Sequence, residues 1–156
     1  MWNEDYKEML LALRSERVDF ILVGAYALAA HGFPRATLDL DIWVRPSLVN
    51  ARKLCRALSR FGAPMAKITP ADFQREDVVL QIGVAPRRID IVTSISGVAY
   101  GTAKRHALNR TIDGVQLSIL STEDMICNKI ASGRAKDLAD AELLKTLARR
   151  KRFHRQ

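Results

Sequence analysis

Asp39 and Asp41 stand two residues apart in Thr37-Leu38-Asp39-Leu40-Asp41-Ile42-Trp43-Val44, a stretch that alternates polar and apolar residues. Alternation with period two marks a β-strand with unlike faces. Both carboxylates then share one face with Thr37, their Cα atoms ~6.5 Å apart, while Leu38, Leu40 and Ile42 turn to the core. At that separation two carboxylates repel by roughly 2–3 kcal/mol at an effective dielectric of 20. A divalent cation with oxygen ligands, Mg²⁺ above all, relieves such repulsion; a merely acidic outer face is the plainer alternative. Asp90, in Arg88-Ile89-Asp90-Ile91-Val92, repeats the pattern of a lone carboxylate between residues of buried type. If its strand neighbours the first, three carboxylates converge, and such a triad can hold divalent ions on an attacking hydroxyl and a departing phosphate. The competing reading of Asp90 is an ion pair with Arg87 or Arg88. Gly24 falls where a strand passes into a helix, so that backbone N–H groups and the helix N-terminus can approach phosphate oxygens. A simple strand-to-helix turn would use glycine there too.

The elements that must position these residues can be read along the chain. Met9, Leu10 and Leu13 at helical spacing predict an amphipathic helix over 4–17, followed by a buried strand over 18–23 and an alanine-rich helix over 25–30. His31-Gly32-Phe33-Pro34 ends that helix. After the 37–44 strand, Ser47 is placed to cap a helix over 48–60. Strands over 77–82 and 88–92 follow, then a helix over 97–108 and, past the Asp113-Gly114 turn, a strand over 115–120. Ser121-Thr122-Glu123-Asp124 resembles a capping box that opens a helix to Ser132, and Gly133 separates it from a last helix over 135–149. This order alternates too irregularly for a doubly wound parallel sheet. It predicts an α/β (α+β) domain with a short mixed sheet flanked by helices and a helical C-terminus.

Composition sets the bounds. The chain has 156 residues, 48% hydrophobic and 27% charged, which excludes disorder, collagen and coiled coil and describes one domain. We expect that domain over 1–148, with a basic C-terminal tail over 149–156. Five of the positive charges behind the net +8 stand in the last eight residues. They read either as a solvated terminus or as a phosphate-binding arm. Cys55 and Cys127 form no CxxC or Cys/His cluster and are expected to be reduced core thiols. Without a basic, then apolar N-terminal segment, or a run of ~20 apolar residues, the expectation is a soluble, cytoplasmic protein that avoids membranes.

Taken together, Gly24-Ala25, thirteen intervening residues and Asp39-Leu40-Asp41, with Asp90 as third carboxylate, resemble the signature of the DNA polymerase β-like nucleotidyltransferase superfamily. The longer run Val23-Gly24-Ala25-x-Ala27-Leu28-x-x-His31-Gly32-x-x-Arg35-x-Thr37-x-Asp39-Leu40-Asp41 is similar to the AbiEii/AbiGii toxin-type nucleotidyltransferases and related small proteins. So is Lys129-Ile130-x-x-x-x-Arg134-x-Lys136-Asp137-x-x-Asp140. The resemblance implies a minimal nucleotidyltransferase fold that moves a nucleoside monophosphate from an NTP to a hydroxyl with Mg²⁺ (or Mn²⁺). Asp39, Asp41 and Asp90 would be catalytic and hold the metal. Gly24, Ala25, Arg35, Lys129 and Lys136 would bind the nucleotide, with Thr37 and Asp137 in support. With the basic surface and tail, RNA, particularly a tRNA 3′ end, is the preferred acceptor, and the resemblance to toxin-type proteins points to a cognate antitoxin protein as partner. Small-molecule or protein acceptors, or a non-catalytic binding protein of the same fold, are the alternatives. Ala25 departs from the Gly or Ser usual in the superfamily; it keeps the backbone donor but offers no hydroxyl. His31 and Trp43 read either as nucleotide contacts or as a hydrogen-bonded helix end and a packed aromatic. Lys104, Arg105, His106 and Arg110 read as a basic acceptor surface or as a solvated helix end.

Overall fold

Among the described residues, six strands and six helices form where the hydrophobic pattern and the caps allow. A computed structural model describes residues 2–33 and 39–154. Their order is α1 (Glu4–Ser15), β1 (Phe20–Val23), α2 (Gly24–Ala30), β2 (Asp39–Val44), α3 (Leu48–Phe61), β3 (Val79–Ile82), β4 (Arg88–Val92), α4 (Tyr100–His106), β5 (Leu108–Ile112), β6 (Val115–Ile119), α5 (Thr122–Ser132) and α6 (Ala135–Phe153), with a 3-10 turn at Pro70–Gln74 between α3 and β3. Ser47 and Ser121 act as N-caps as their types require, accepting from the backbone N–H groups of Asn50 and Asp124. In the anticipated capping box only the serine's half is seen, since the Asp124 carboxylate meets Nδ1 of His106 at 3.0 Å.

The strands form one mixed sheet in the order β3-β4-β2-β1-β6-β5. β2 lies antiparallel to β1 and parallel to β4, and β1 runs parallel to β6. Leu40 and Ile42 of β2 are fully buried with Leu22, Ile89 and Ile91, as the period-two pattern demands. Met9, Leu10 and Leu13 of α1 and Ala51, Leu54 and Leu58 of α3 join the same core. Trp43 shares the parity of Asp39 and Asp41 but is 1% exposed, because Tyr100 of α4 packs edge-on against it at 5.0 Å. The far end of the carboxylate face is therefore covered, and Trp43 is a packing residue.

Three sequence expectations are corrected. The helix over 97–108 is confined to Tyr100–His106, and Leu108–Ile112 is a strand paired antiparallel with β6. The edge position explains why it escaped notice: its three central residues are exposed, so no apolar run marks it. The clue was the Asp113-Gly114 turn, whose two positive φ angles, 49° and 78°, suit a tight hairpin that needs a strand on each side. Nor are both cysteines core thiols: both are free, but Cys55 is half-buried and Cys127 is exposed on α5. α6 continues past Arg149 to Phe153, so Arg149 to Arg152 are helical. Among the described residues no helix is long and apolar enough to cross a membrane.

Opposite the β1 C-terminus, a polar cluster fastens the sheet to α3 and α4. The Asp19 carboxylate accepts from Arg45 Nε at 2.6 Å and Tyr100 Oη at 2.7 Å, and lies 3.2 Å from Lys104 Nζ. Buried Asn50 accepts from Asp19 N–H and donates to the carbonyls of Asp19 and Arg45. Burial raises the affinity of Asp19 for a proton, but the hydrogen bonds from Arg45 and Tyr100 and the Lys104 charge outweigh it and hold the carboxyl below its ordinary 3.8. A depressed folded-state pKa stabilises above the unfolded value and is lost as pH falls through the folded one. Asp19→Asn should therefore cost about 1–2 kcal/mol at pH 7 in urea denaturation, with the difference from wild type shrinking below about pH 4.

Candidate active site

The parallel pairing of β2 with β4 sets Asp41 opposite Asp90 and Asp39 opposite Arg88. Residues opposite in register share a face, so three carboxylates and one guanidinium meet on the sheet. One oxygen from each of Asp39, Asp41 and Asp90 lies within 4.8 Å of the others. Arg88 Nη2 donates to Asp39 Oδ2 at 2.7 Å and to Asp90 Oδ2 at 3.1 Å. Both readings of Asp90 hold at once: it belongs to the triad and to an ion pair. The pair is not closed, since Asp90 Oδ1 is buried without a hydrogen-bond partner, as is Arg88 Nε.

The local charge balance is strained accordingly. Burial, then the charges of Asp39 and Asp90, push Asp41 up to about 7, with Arg88 only partly compensating. Burial likewise raises Asp90 against the pull of Arg88. Tyr6 adds a neutral wall: its hydroxyl donates to the carbonyls of Pro86 and Arg88 at 3.1 Å each, and burial together with nearby Tyr26, Asp39 and Asp41 pushes its phenol up to about 12.

Gly24 has a reason beyond the turn. It adopts φ +71°, a left-handed conformation, and a Cβ there would collide with Asp41 Oδ2 and lie 3.0 Å from Asp41 Cβ. Its missing side chain makes room for the carboxylate rather than for phosphate alone; α2, only seven residues long, is too short to supply much of a helix dipole.

These residues suit a divalent cation. The oxygens of one Mg²⁺ shell span about 4 Å, so the triad needs only a small closure. The orphaned Asp90 oxygen and the raised Asp41 are the groups that a cation would satisfy. Around them, Gly24 and Asp41 open on a cleft of about 510 Å³ that also takes in Asp77, Ser94, Asn128 and Arg134. A smaller one of about 150 Å³ brings Gly24 and Ala25 together with Lys129, Lys136 and Asp137.

The C-terminal charges are partly committed to one another. Lys129 Nζ lies 3.4 Å from Asp137 and 3.2 Å from Asp140, leaving its side chain 15% exposed. Asp137 accepts from Ser132 Oγ and Arg134 Nε, contacts that hold its carboxyl below the usual range, the serine hydrogen bond most strongly. Asp137 thus orients Lys129 and Arg134, while Lys136 faces the small cleft and Asp140 pairs with Lys129. His31 is a hydrogen-bonded helix end: Nε2 meets the Leu120 carbonyl at 2.8 Å. Lys104 turns inward to the Phe20 carbonyl and Asp19, so the 104–106 run does not form one basic surface. Arg35 and Thr37 lie outside the described residues. The residue that the sequence reading undervalued is Arg88; its position two before Asp90 on one strand placed it on the same face.

The mixed sheet thus presents a carboxylate triad beside a glycine turn. The chain belongs to the family of nucleotidyltransferases of unknown function (DUF6036), which matches residues 3–149. The fold is similar to that of a protein from Thermotoga maritima whose crystal structure was described as a candidate nucleotidyltransferase, with a TM-score of 0.58 and 17% identity over 100% of this chain and 97% of that one. No curated protein matches the sequence.

Gly24→Ala should destabilise the protein by about 2 kcal/mol or more, read by urea denaturation, from left-handed strain and collision with Asp41. Asp41 works in the opposite direction. Its raised pKa means that stability present below the ordinary 3.8 is lost as pH climbs through about 7. With a chelator present, Asp41→Asn should raise the melting temperature by about 5 °C at pH 8 and hardly at pH 4. No gain at pH 8 would show that the carboxylate is not strained.

Proposed function

We propose that this protein transfers a nucleoside monophosphate from an NTP to a hydroxyl acceptor in a reaction dependent on Mg²⁺ or Mn²⁺. The observation that carries the reading is the convergence of Asp39, Asp41 and Asp90 from two adjacent strands, with Gly24 left bare to admit Asp41. Family membership supports the class of reaction. Asp39, Asp41 and Asp90 would hold the cation, which when bound neutralises charge on the triphosphate and lowers the pKa of a coordinated hydroxyl. The protein's own part is largely positioning. Gly24 and Ala25 line the side of the triphosphate, and Lys136 and Arg134 stand where its charge would lie. Lys129 holds that wall through Asp137 and Asp140. As the acceptor oxygen bonds to the α-phosphorus and pyrophosphate departs, the hydroxyl proton passes to the carboxylate of Asp90, whose affinity for a proton is raised by burial. Arg88 exchanges its bridge between Asp39 and Asp90 for phosphate oxygens as nucleotide enters.

The acceptor we infer is RNA, in particular a tRNA 3′ end. The net charge of +8 and the likeness to toxin-type nucleotidyltransferases support that choice, and the same likeness supports a toxin–antitoxin setting with a cognate antitoxin protein. The test is incubation with each labelled NTP, Mg²⁺ and total RNA. Wild type should label RNA, and Asp41→Asn should label it at least about 100-fold more slowly. Equal labelling would remove Asp41 from the mechanism; label in protein or in small hydroxyl compounds, with none in RNA, would reassign the acceptor.

A further inference from the structure

The basic end of α6 takes no part in the carboxylate site, yet it is not a loose tail. Ala148, Lys151 and Arg152 stand at i, i+3 and i+4, on one helical face, and line a surface cleft of about 290 Å³. Arg110 of β5, His31 and Thr122 form its other walls. Three cations from elements some forty residues apart in sequence are thus gathered around one hollow. Among the described residues Glu123 is the only acidic one lining it. None of Arg110, Lys151 and Arg152 forms an ion pair among the described residues, and Arg110 donates only to the carbonyl of its neighbour Asn109.

The floor of the cleft feels this charge. His31 engages the Leu120 carbonyl and Thr122 Oγ1 with its two nitrogens, and burial, aided by the nearby Lys151 and Arg110 against the Leu120 hydrogen bond, holds its imidazole below the ordinary 6.5. The second histidine lining the cleft, His106, is tied to Asp124. Among the described residues the hollow therefore sets three cations against the single carboxylate of Glu123, a net positive charge on side chains with flexible, exposed stems. Such donors suit a charged strand passing over the surface better than a small anion held in a fixed cage.

Its position gives the strand a direction. Gly24 starts α2 beside the carboxylates, and His31 caps the other end of the same helix in the cleft. A helix of seven residues spans ~10 Å, which a stacked strand covers in about two or three nucleotides of ~3.4 Å each.

We propose that the cleft of Arg110, Lys151 and Arg152 binds backbone phosphates of an RNA acceptor two or three nucleotides from its reacting 3′ end. This rests on the reading of the carboxylate site as an RNA nucleotidyltransferase. The cleft sets the register of the strand, and the α6 extension exists to build it.

The experiment is fluorescence anisotropy with a labelled single-stranded RNA of roughly 12 nucleotides, without NTP and with a chelator, across a KCl series. Arg110→Gln/Lys151→Gln/Arg152→Gln should weaken binding at least about tenfold at low salt and reduce the slope of log K against log salt by about 2, since each single-strand phosphate contact contributes about 0.7. Arg149→Gln/Arg150→Gln, which removes charge from the same helix outside the cleft, should change affinity less than about threefold. Arg110→Glu, on an exposed strand, repeats the test without altering α6. Wild-type binding by the triple variant, or equal loss in the Arg149/Arg150 control, overturns the proposal. If wild type transfers nucleotide to RNA while the triple variant binds RNA normally, the cleft fails and the enzymatic reading stands. If RNA binding depends on the three cations but no transfer occurs, the cleft stands and the enzymatic reading falls.

Discussion

The parallel register of β2 on β4 is the constraint on which the site depends. It sets Asp41 beside Asp90, so that a third carboxylate meets the pair already carried by one strand. A slip of β2 by one residue would turn Asp39 and Asp41 to the opposite face and bring Leu40 and Ile42 out of the core. The apolar face therefore enforces the acidic one: the burial of Leu40, Ile42, Ile89 and Ile91 holds in place a charge arrangement that disfavours itself.

The adjoining parts are adaptations to that repulsion. Gly24 accepts a left-handed backbone so that Asp41 has room, and Arg88 spans Asp39 and Asp90. Neither fully neutralises the site, as the unpartnered oxygen of Asp90 and the raised Asp41 show. Residual strain of this kind is common where a protein stores affinity for a charged ligand at a cost in stability. At the other end of the sheet the Asp19 cluster is the reverse case. There one carboxylate is met by Arg45, Tyr100 and Lys104, and the result is a fastening rather than a binding site.

Charge in the C-terminal region divides in the same way. Lys129 is half-committed to Asp137 and Asp140 and shapes the small cleft, whereas Lys151 and Arg152 have no acidic partner among the described residues. Residue type alone does not separate these roles. What separates them is whether a carboxylate from another element comes within reach.

Much of the site was legible beforehand, because the features involved are local. The alternation around Asp39 and Asp41, the lone Asp90, the Ser47 and Ser121 caps and the glycine before α2 each follow from the preferences of a few neighbouring residues. The β5 edge strand was not legible as a strand, since its exposed centre carries no apolar pattern and its pairing is satisfied from β6. Nor could spacing foretell that Trp43 would be covered by Tyr100, or that Arg88 would bridge two carboxylates. The chain by itself determined which residues could do chemistry and which faces they occupy, through backbone periodicity. Only the tertiary structure decided which of them meet, because strand register and helix docking are settled by burial between segments distant in sequence, where the gain from the shared core outweighs the repulsion it brings together.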